Sequence, residues 1–166
     1  MSVAAAQTVS PEQVVQRQHG MKAMAQSAKT INAMFQGTSP YDARVFKAAA
    51  ETIKAQSGTT LSALFDGSAV PADSKASAAI GLDRPAFDKL AGELRAYASA
   101  LSIAADRNPD MLGPEMRMRP GDAAMGGPFA RKAAVDAAAS MPAEHAFHLL
   151  LQTCTSCHAR FRTDGN

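Results

Sequence analysis

Residues 142–162 read PAEHAFHLLLQTCTSCHARFR, and this stretch decides how the rest of the chain is read. Pro142 suits the opening of a helix, and Phe147, Leu150, Cys154, Cys157 and Phe161 then step by three and four, which gathers them on one helical stripe. A stripe of this kind buries against other helices, so the expected fold supplies partners of the same type. Both cysteines of the chain lie on it.

Working back from that segment, the partners are visible. Ser10-Pro11-Glu12-Gln13 carries a helix start, with Ser10 as cap, proline in the first turn and Gln13 closing a capping box. Val14, Met21, Met24, Ala28, Ile31 and Phe35 follow on one face until Gly37, predicting a first helix (A) of about 25 residues and ~38 Å. Thr38 to Asp42 repeats the start grammar, and Val45, Ala49, Ile53 and Gln56 define helix B up to Ser57-Gly58. After one further turn at 59–65, residues 66–79 are small and turn-forming and read as a crossing loop. From Pro85, Phe87, Leu90, Leu94, Tyr97, Leu101 and Ala104 give helix C, closed by Asn108-Pro109. Residues 109–128 hold too many glycines and prolines for regular structure and carry Met111, Met116, Met118 and Met125; 129–140 is Ala-rich and predicts a short helix before the last one (D). The expected fold is all-α, an antiparallel four-helix bundle, with a long insertion over 109–139 between the third and fourth helices. The whole of 1–166 reads as one domain, residues 1–9 forming a tail.

Composition narrows the function classes. The 166 residues are 46% hydrophobic and 5% aromatic, and 17 Lys and Arg face 15 Asp and Glu, a net charge of +2. No broad basic field exists to hold nucleic acid or an anionic membrane, and every apolar run is broken well short of a bilayer span. No Ser/His/Asp set, carboxylate pair or phosphate loop is visible, so an enzyme is not expected.

Cys154-Thr155-Ser156-Cys157-His158 is C-x-x-C-H, the attachment pattern for a c-type haem. Residues three apart share a helical face, so two thiols at that spacing can form thioethers to the two vinyl groups on one porphyrin edge, and His158 follows in position to ligate the iron. Two alternatives use the same cysteines. A zinc site needs more Cys or His at matched spacing, and His145 and His148 precede the motif on the same helix; a dithiol redox motif expects strands around it, and no strand pattern is visible.

The C-x-x-C-H-x-x-aromatic-basic run of Cys154, Cys157, His158, Phe161 and Arg162, with Arg17-Gln18-x-x-Met21 in helix A and Pro40-Tyr41-Asp42 opening helix B, resembles the cytochrome c′ family and its low-spin relatives. The resemblance implies one haem c near one end of the bundle, Arg17 paired with a propionate, Gln18 beside it, and Phe161 and Arg162 at the proximal side. It also implies a homodimer through the first two helices. The sequence departs from the family in the length of 109–139 and in having Phe161 where a tyrosine is usual. Phe161 keeps the aromatic packing and lacks the hydroxyl.

Within the resemblance, Met21 lies over the distal side of the iron. A thioether on the iron makes it six-coordinate and low-spin and suits electron transfer; a Met that only fills core leaves a five-coordinate iron that takes up NO or CO. Met24 one turn on, and the loop methionines, are rival ligands, and the loop methionines also suggest a soft-metal site, a lid or a partner surface. His19 points away from that face, and Arg117 and Arg119 read as solvated or as contacts for an acidic redox partner. Arg160 and Arg162 complement the dipole at the end of helix D. The expected function is a bacterial periplasmic c-type cytochrome carrying single electrons between redox partner proteins, with His158 and Met21 as axial ligands. The alternative is a five-coordinate NO/CO-binding cytochrome c′. Export is expected from the attachment chemistry, and the small residues of 1–7 resemble the end of a secretory signal whose start is absent here.

Overall fold

The computed structural model describes residues 10–65, 74–120 and 135–163. Its helices are α1 (Pro11–Phe35), α2 (Ala43–Ala55), α3 (Thr59–Ala63), α4 (Ala79–Leu82), α5 (Arg84–Arg107) and α6 (Ala143–Phe161). The four long ones, α1, α2, α5 and α6, form an antiparallel bundle; none of the described helices is long and apolar enough to cross a membrane.

Local chemistry sets the boundaries. The Ser10 hydroxyl accepts from the Gln13 N–H while the Gln13 side chain accepts from the Ser10 N–H, a complete capping box, and Gly37 at φ 71° turns the chain out of α1. Asp42, the last residue of the Thr38 to Asp42 signal, caps α2 by accepting from the N–H groups of Arg44 and Val45. Asp83 caps α5 by accepting from Ala86 N–H, so that helix begins one residue before Pro85. Gly58, at φ 64°, donates its N–H to the Ala91 carbonyl at 2.9 Å and pins the α2–α3 turn onto α5.

The helices close tightly at one end. Phe35 of α1 meets Phe46 of α2 edge-on at 5.5 Å and Phe147 of α6 at 5.7 Å, and Tyr41 leans on Phe46 at 5.7 Å. Phe46, Phe147, Ile31 and Leu101 are essentially water-free there, each contributing about 1.5–3 kcal/mol by area removed from water.

Residues 108–142 separate α5 from α6. Met116 is buried in the core, the Arg117 guanidinium donates to the Phe35 carbonyl at 2.6 Å, and the Met118 N–H donates to a Glu144 carboxylate oxygen at 2.9 Å. The described part of this segment therefore crosses the aromatic end, at the C-terminus of α1 and the N-terminus of α6. Fourteen residues separate Met21 from Phe35, about 21 Å along the helix, so Met116 and Met118 do not reach Met21. The idea of these methionines as a lid or ligand over the distal face is thereby corrected; Met111 is exposed, and Met125 lies outside the described residues. Of the expected short helix at 129–140, residues 129–134 lie outside the described residues; 138–140 is a single tight 3₁₀ turn.

Candidate haem site

Farther along the bundle α1 and α6 are held apart by two adjoining cavities of about 500 and 290 Å³. Each lies in or near the size range of cofactor sites, roughly 300–1,000 Å³, and together they are well inside it. Cys157, His158, Met21 and Ala25 line both. Cys154 lines the smaller one, with Met24, Ile53, Leu94 and Leu150; Arg17, Gln18, Phe161 and Arg162 line the larger. The lining explains the gap: opposite the thiols, α1 offers Ala25 and Ala28 where the other end offers Phe35.

The thiols are free and half-buried on the inward stripe of α6. Burial pushes the Cys154 thiol above its ordinary range; burial and then the charge of Cys154 push Cys157 up to about 11. A catalytic dithiol needs the opposite shift, toward thiolate, so this pair is poorly suited to disulfide exchange and keeps two protonated thiols facing an apolar cavity. His158 opens onto the cavity, and desolvation, then the Arg162 charge, holds its imidazole below the usual histidine range. It is neutral at pH 7, the form that ligates metals.

Arg17 is 6% exposed. Its Nε donates to the Leu64 carbonyl at 2.6 Å and its guanidinium lies 4.1 Å from the centre of the Phe65 ring, so the charge is fixed at the cavity wall by contacts from the α3 segment. Gln18 is exposed beside it, Met21 is half-buried and touches both apolar clusters of the core, and Met24 is buried. His19 is exposed, as its place on the helix predicts.

A contact invisible to periodicity completes the site. Ala76 forms an antiparallel bridge with Arg162, Ser77 N–H donates to the Phe161 carbonyl at 2.9 Å, and Thr163 N–H donates to the Lys75 carbonyl at 2.9 Å. Phe161 is buried edge-on against Phe87 of α5 at 5.3 Å, and Arg160 forms an ion pair with Asp83. The crossing loop is thus a clamp on the end of α6. Ser74, Lys75, Ala76, Phe65 and Phe87 all line the larger cavity and were not expected there. Phe87 was legible only as a core position, and the others gave no sequence signal.

Among the described residues lining the cavities no Asp or Glu occurs, and the walls are apolar apart from Arg17, Gln18, Lys22, Ser74, Lys75, Thr153, His158 and Arg162. An apolar slot with two thiols on one wall, a neutral imidazole next to them and cations at the mouth fits a porphyrin with two vinyl groups, a central iron and two carboxylates.

Comparison with known proteins agrees with this fit. The family described as Cytochrome C′ matches residues 12–119, a stretch that ends before the C-x-x-C-H motif. No curated protein matches the chain. Among solved structures, cytochrome c′ from Thermochromatium tepidum superposes with a TM-score of 0.65 at 23% identity, covering 95% of this chain and 100% of its own. A cytochrome c′ described as having an unusual ligand-controlled dimer dissociation gives 0.64 at 21%, covering 95% and 100%. A nitric oxide complex of a variant of the Alcaligenes xylosoxidans protein gives 0.61 at 22%, again covering 95% and 100%. These likenesses extend the fold across α6, which the family match leaves out. The chain belongs to the cytochrome c′ family, and is a four-helix haem c protein.

Proposed function

We propose that the protein is a periplasmic carrier of single electrons, in which Cys154 and Cys157 would hold the haem and His158 and Met21 would ligate its iron. One observation carries this reading: Met21 on α1 and His158 on α6 line the same two cavities from facing helices. When bound, the group supplies a one-electron couple. Met21 packs against both apolar clusters and lines both cavities, which places its side chain at the cavity wall. Arg17, already desolvated and oriented, supplies a fixed positive charge for a carboxylate, with Gln18 beside it. Phe161 is buried at the His158 end of the cavity, and desolvation, then the Arg162 charge, favours the neutral imidazole. Thioether formation on the outer side of the membrane supports export.

A second reading has its own support. The nitric oxide complex of the Alcaligenes xylosoxidans variant shares this fold, and the space on both sides of Met21 would let its side chain stand off the iron and admit NO or CO. The optical spectrum of matured protein, ferric and dithionite-reduced, with and without carbon monoxide, separates the two. Sharp split reduced bands, a weak far-red ferric band and no response to carbon monoxide support Met21 ligation; broad high-spin bands that shift with carbon monoxide support gas binding. Met21→Ala converts the first spectrum into the second and lowers the potential.

A homodimer through α1 and α2 is supported by the fold shared with the protein whose dimer dissociation is ligand-controlled, and sedimentation with and without carbon monoxide tests it. The protein is read as a carrier or binder, not an enzyme; peroxide turnover above that of free haem would overturn that.

A further inference from the structure

Several of the described cations are ion-paired: Lys47 with Asp106, Arg117 with Glu144 and Arg160 with Asp83. Three around the mouth of the larger cavity are not. Lys22 of α1, Lys75 of the clamp and Arg162 at the end of α6 are exposed, line the cavity and form no ion pair or side-chain hydrogen bond among the described residues. Arg17 stands behind them, buried. The two carboxylates of a haem can neutralise two of these four charges, so among the described residues the rim keeps a positive excess. Val15, 64% exposed, lies on the same α1 stripe as Gln18 and Lys22 and adds an apolar contact beside the charges. The whole chain carries only +2, and exposed charges act over about a Debye length, ~8 Å at physiological salt, so this rim, not the net charge, governs what approaches the cavity mouth.

We propose that this rim, Lys22, Lys75 and Arg162 with Val15, is the docking face for an acidic redox partner protein, which exchanges electrons with the haem through the cavity mouth. The proposal rests on the electron-carrier reading. A partner presenting carboxylates would be steered to the mouth and held there with the shortest path to the cofactor, and a basic partner would be repelled.

The test uses reduced holoprotein and two one-electron oxidants of opposite charge, hexacyanoferrate(III) and tris(phenanthroline)cobalt(III), each accepting one electron from the ferrous haem, followed by stopped flow over a range of salt. The expected result is hexacyanoferrate oxidation that slows steeply with salt and is inhibited by polyglutamate but not polylysine. Lys22→Glu with Lys75→Glu should slow it about tenfold at low salt and speed the cobalt complex. The milder Lys75→Gln should give part of the effect, and its exposed side chain forms no hydrogen bond or ion pair among the described residues. Arg44→Glu with Lys29→Glu makes the same change in net charge away from the rim, Arg44 at the aromatic end on the first turn of α2, and should change either rate less than about twofold. If both oxidants react but the Arg44→Glu/Lys29→Glu pair and the Lys22→Glu/Lys75→Glu pair act alike, or salt has no effect, the docking face is overturned and the carrier reading stands. If neither oxidant takes an electron at a measurable rate, both are overturned.

Discussion

The two ends of the bundle use the same helices and pack in opposite ways. At one end α1 and α6 meet through Phe35 and Phe147, sealed by Phe46, Tyr41 and the buried Met116. At the other they are spread around about 500 and 290 Å³ of space, with alanines, methionines and thiols on the walls. The aromatic end completes its own core from the amino-acid sequence. The open end is completed by the cofactor, whose apolar faces take the place of side chains. The fold therefore has a self-sufficient half and a dependent half.

The largest expected effect breaks the dependent half alone. Replacing both Cys154 and Cys157 by Ser should abolish covalent attachment, read as complete loss of haem from the chain after acid–acetone extraction. Amide exchange should then quicken over 14–25 and 150–161 while the amides around Phe35, Phe46 and Phe147 stay protected. Equal loss at both ends would mean that the halves are not separable. Phe147→Ala attacks the other side: it should cost about 3–5 kcal/mol in denaturant unfolding of the holoprotein and leave the haem spectrum unchanged. Arg117→Ala should cost about 1–2 kcal/mol, since its bond to the Phe35 carbonyl is charged but partly solvated, and should raise exchange at 114–118 without moving the potential.

The smallest effect lies in the seam joining the ends. The Ser102 hydroxyl donates to Glu51 at 2.6 Å; that bond, opposed by some burial and reinforced by Lys54, holds the Glu51 carboxyl below its ordinary range. A depressed carboxyl contributes stability in full above its unfolded pKa and loses it as pH falls through the folded value. Glu51→Gln should therefore flatten the acid limb of the stability profile and leave neutral-pH spectra untouched, which denaturation midpoints against pH will show.

Sequence reading recovered what is local. Ser10, Gln13 and Gly37 mark α1 because caps act within four residues, and the stripe of α6 is visible because helical neighbours are three and four apart. The thiols, His158, Arg17 and Met21 converge on the cavities because each sits on such a stripe. Their chemical roles rest on the motif and the family resemblance. What was not legible is long-range. Lys75 and Thr163 are joined across 88 residues, Arg17 finds Leu64 across 47 and Arg117 finds Phe35 across 82, and none of these partners leaves a periodic trace. The small residues of 66–79 announce only a break in the helical pattern; that 74–77 would pair with the end of α6 depends on where the bundle brings the two together.

That pairing bears on a general weakness of helices. The last turn of a helix lacks partners for its carbonyls and frays, and His158 lies one turn from the end of α6. Here the Phe161 carbonyl is taken by Ser77, the next residues are bridged to 75 and 76, and Phe161 is anchored beneath. The backbone of the turn bearing the imidazole is thereby given partners that the end of a helix ordinarily lacks. Positional precision, in this protein, is imported from a segment nearly ninety residues away that contributes no helix stripe and no motif of its own.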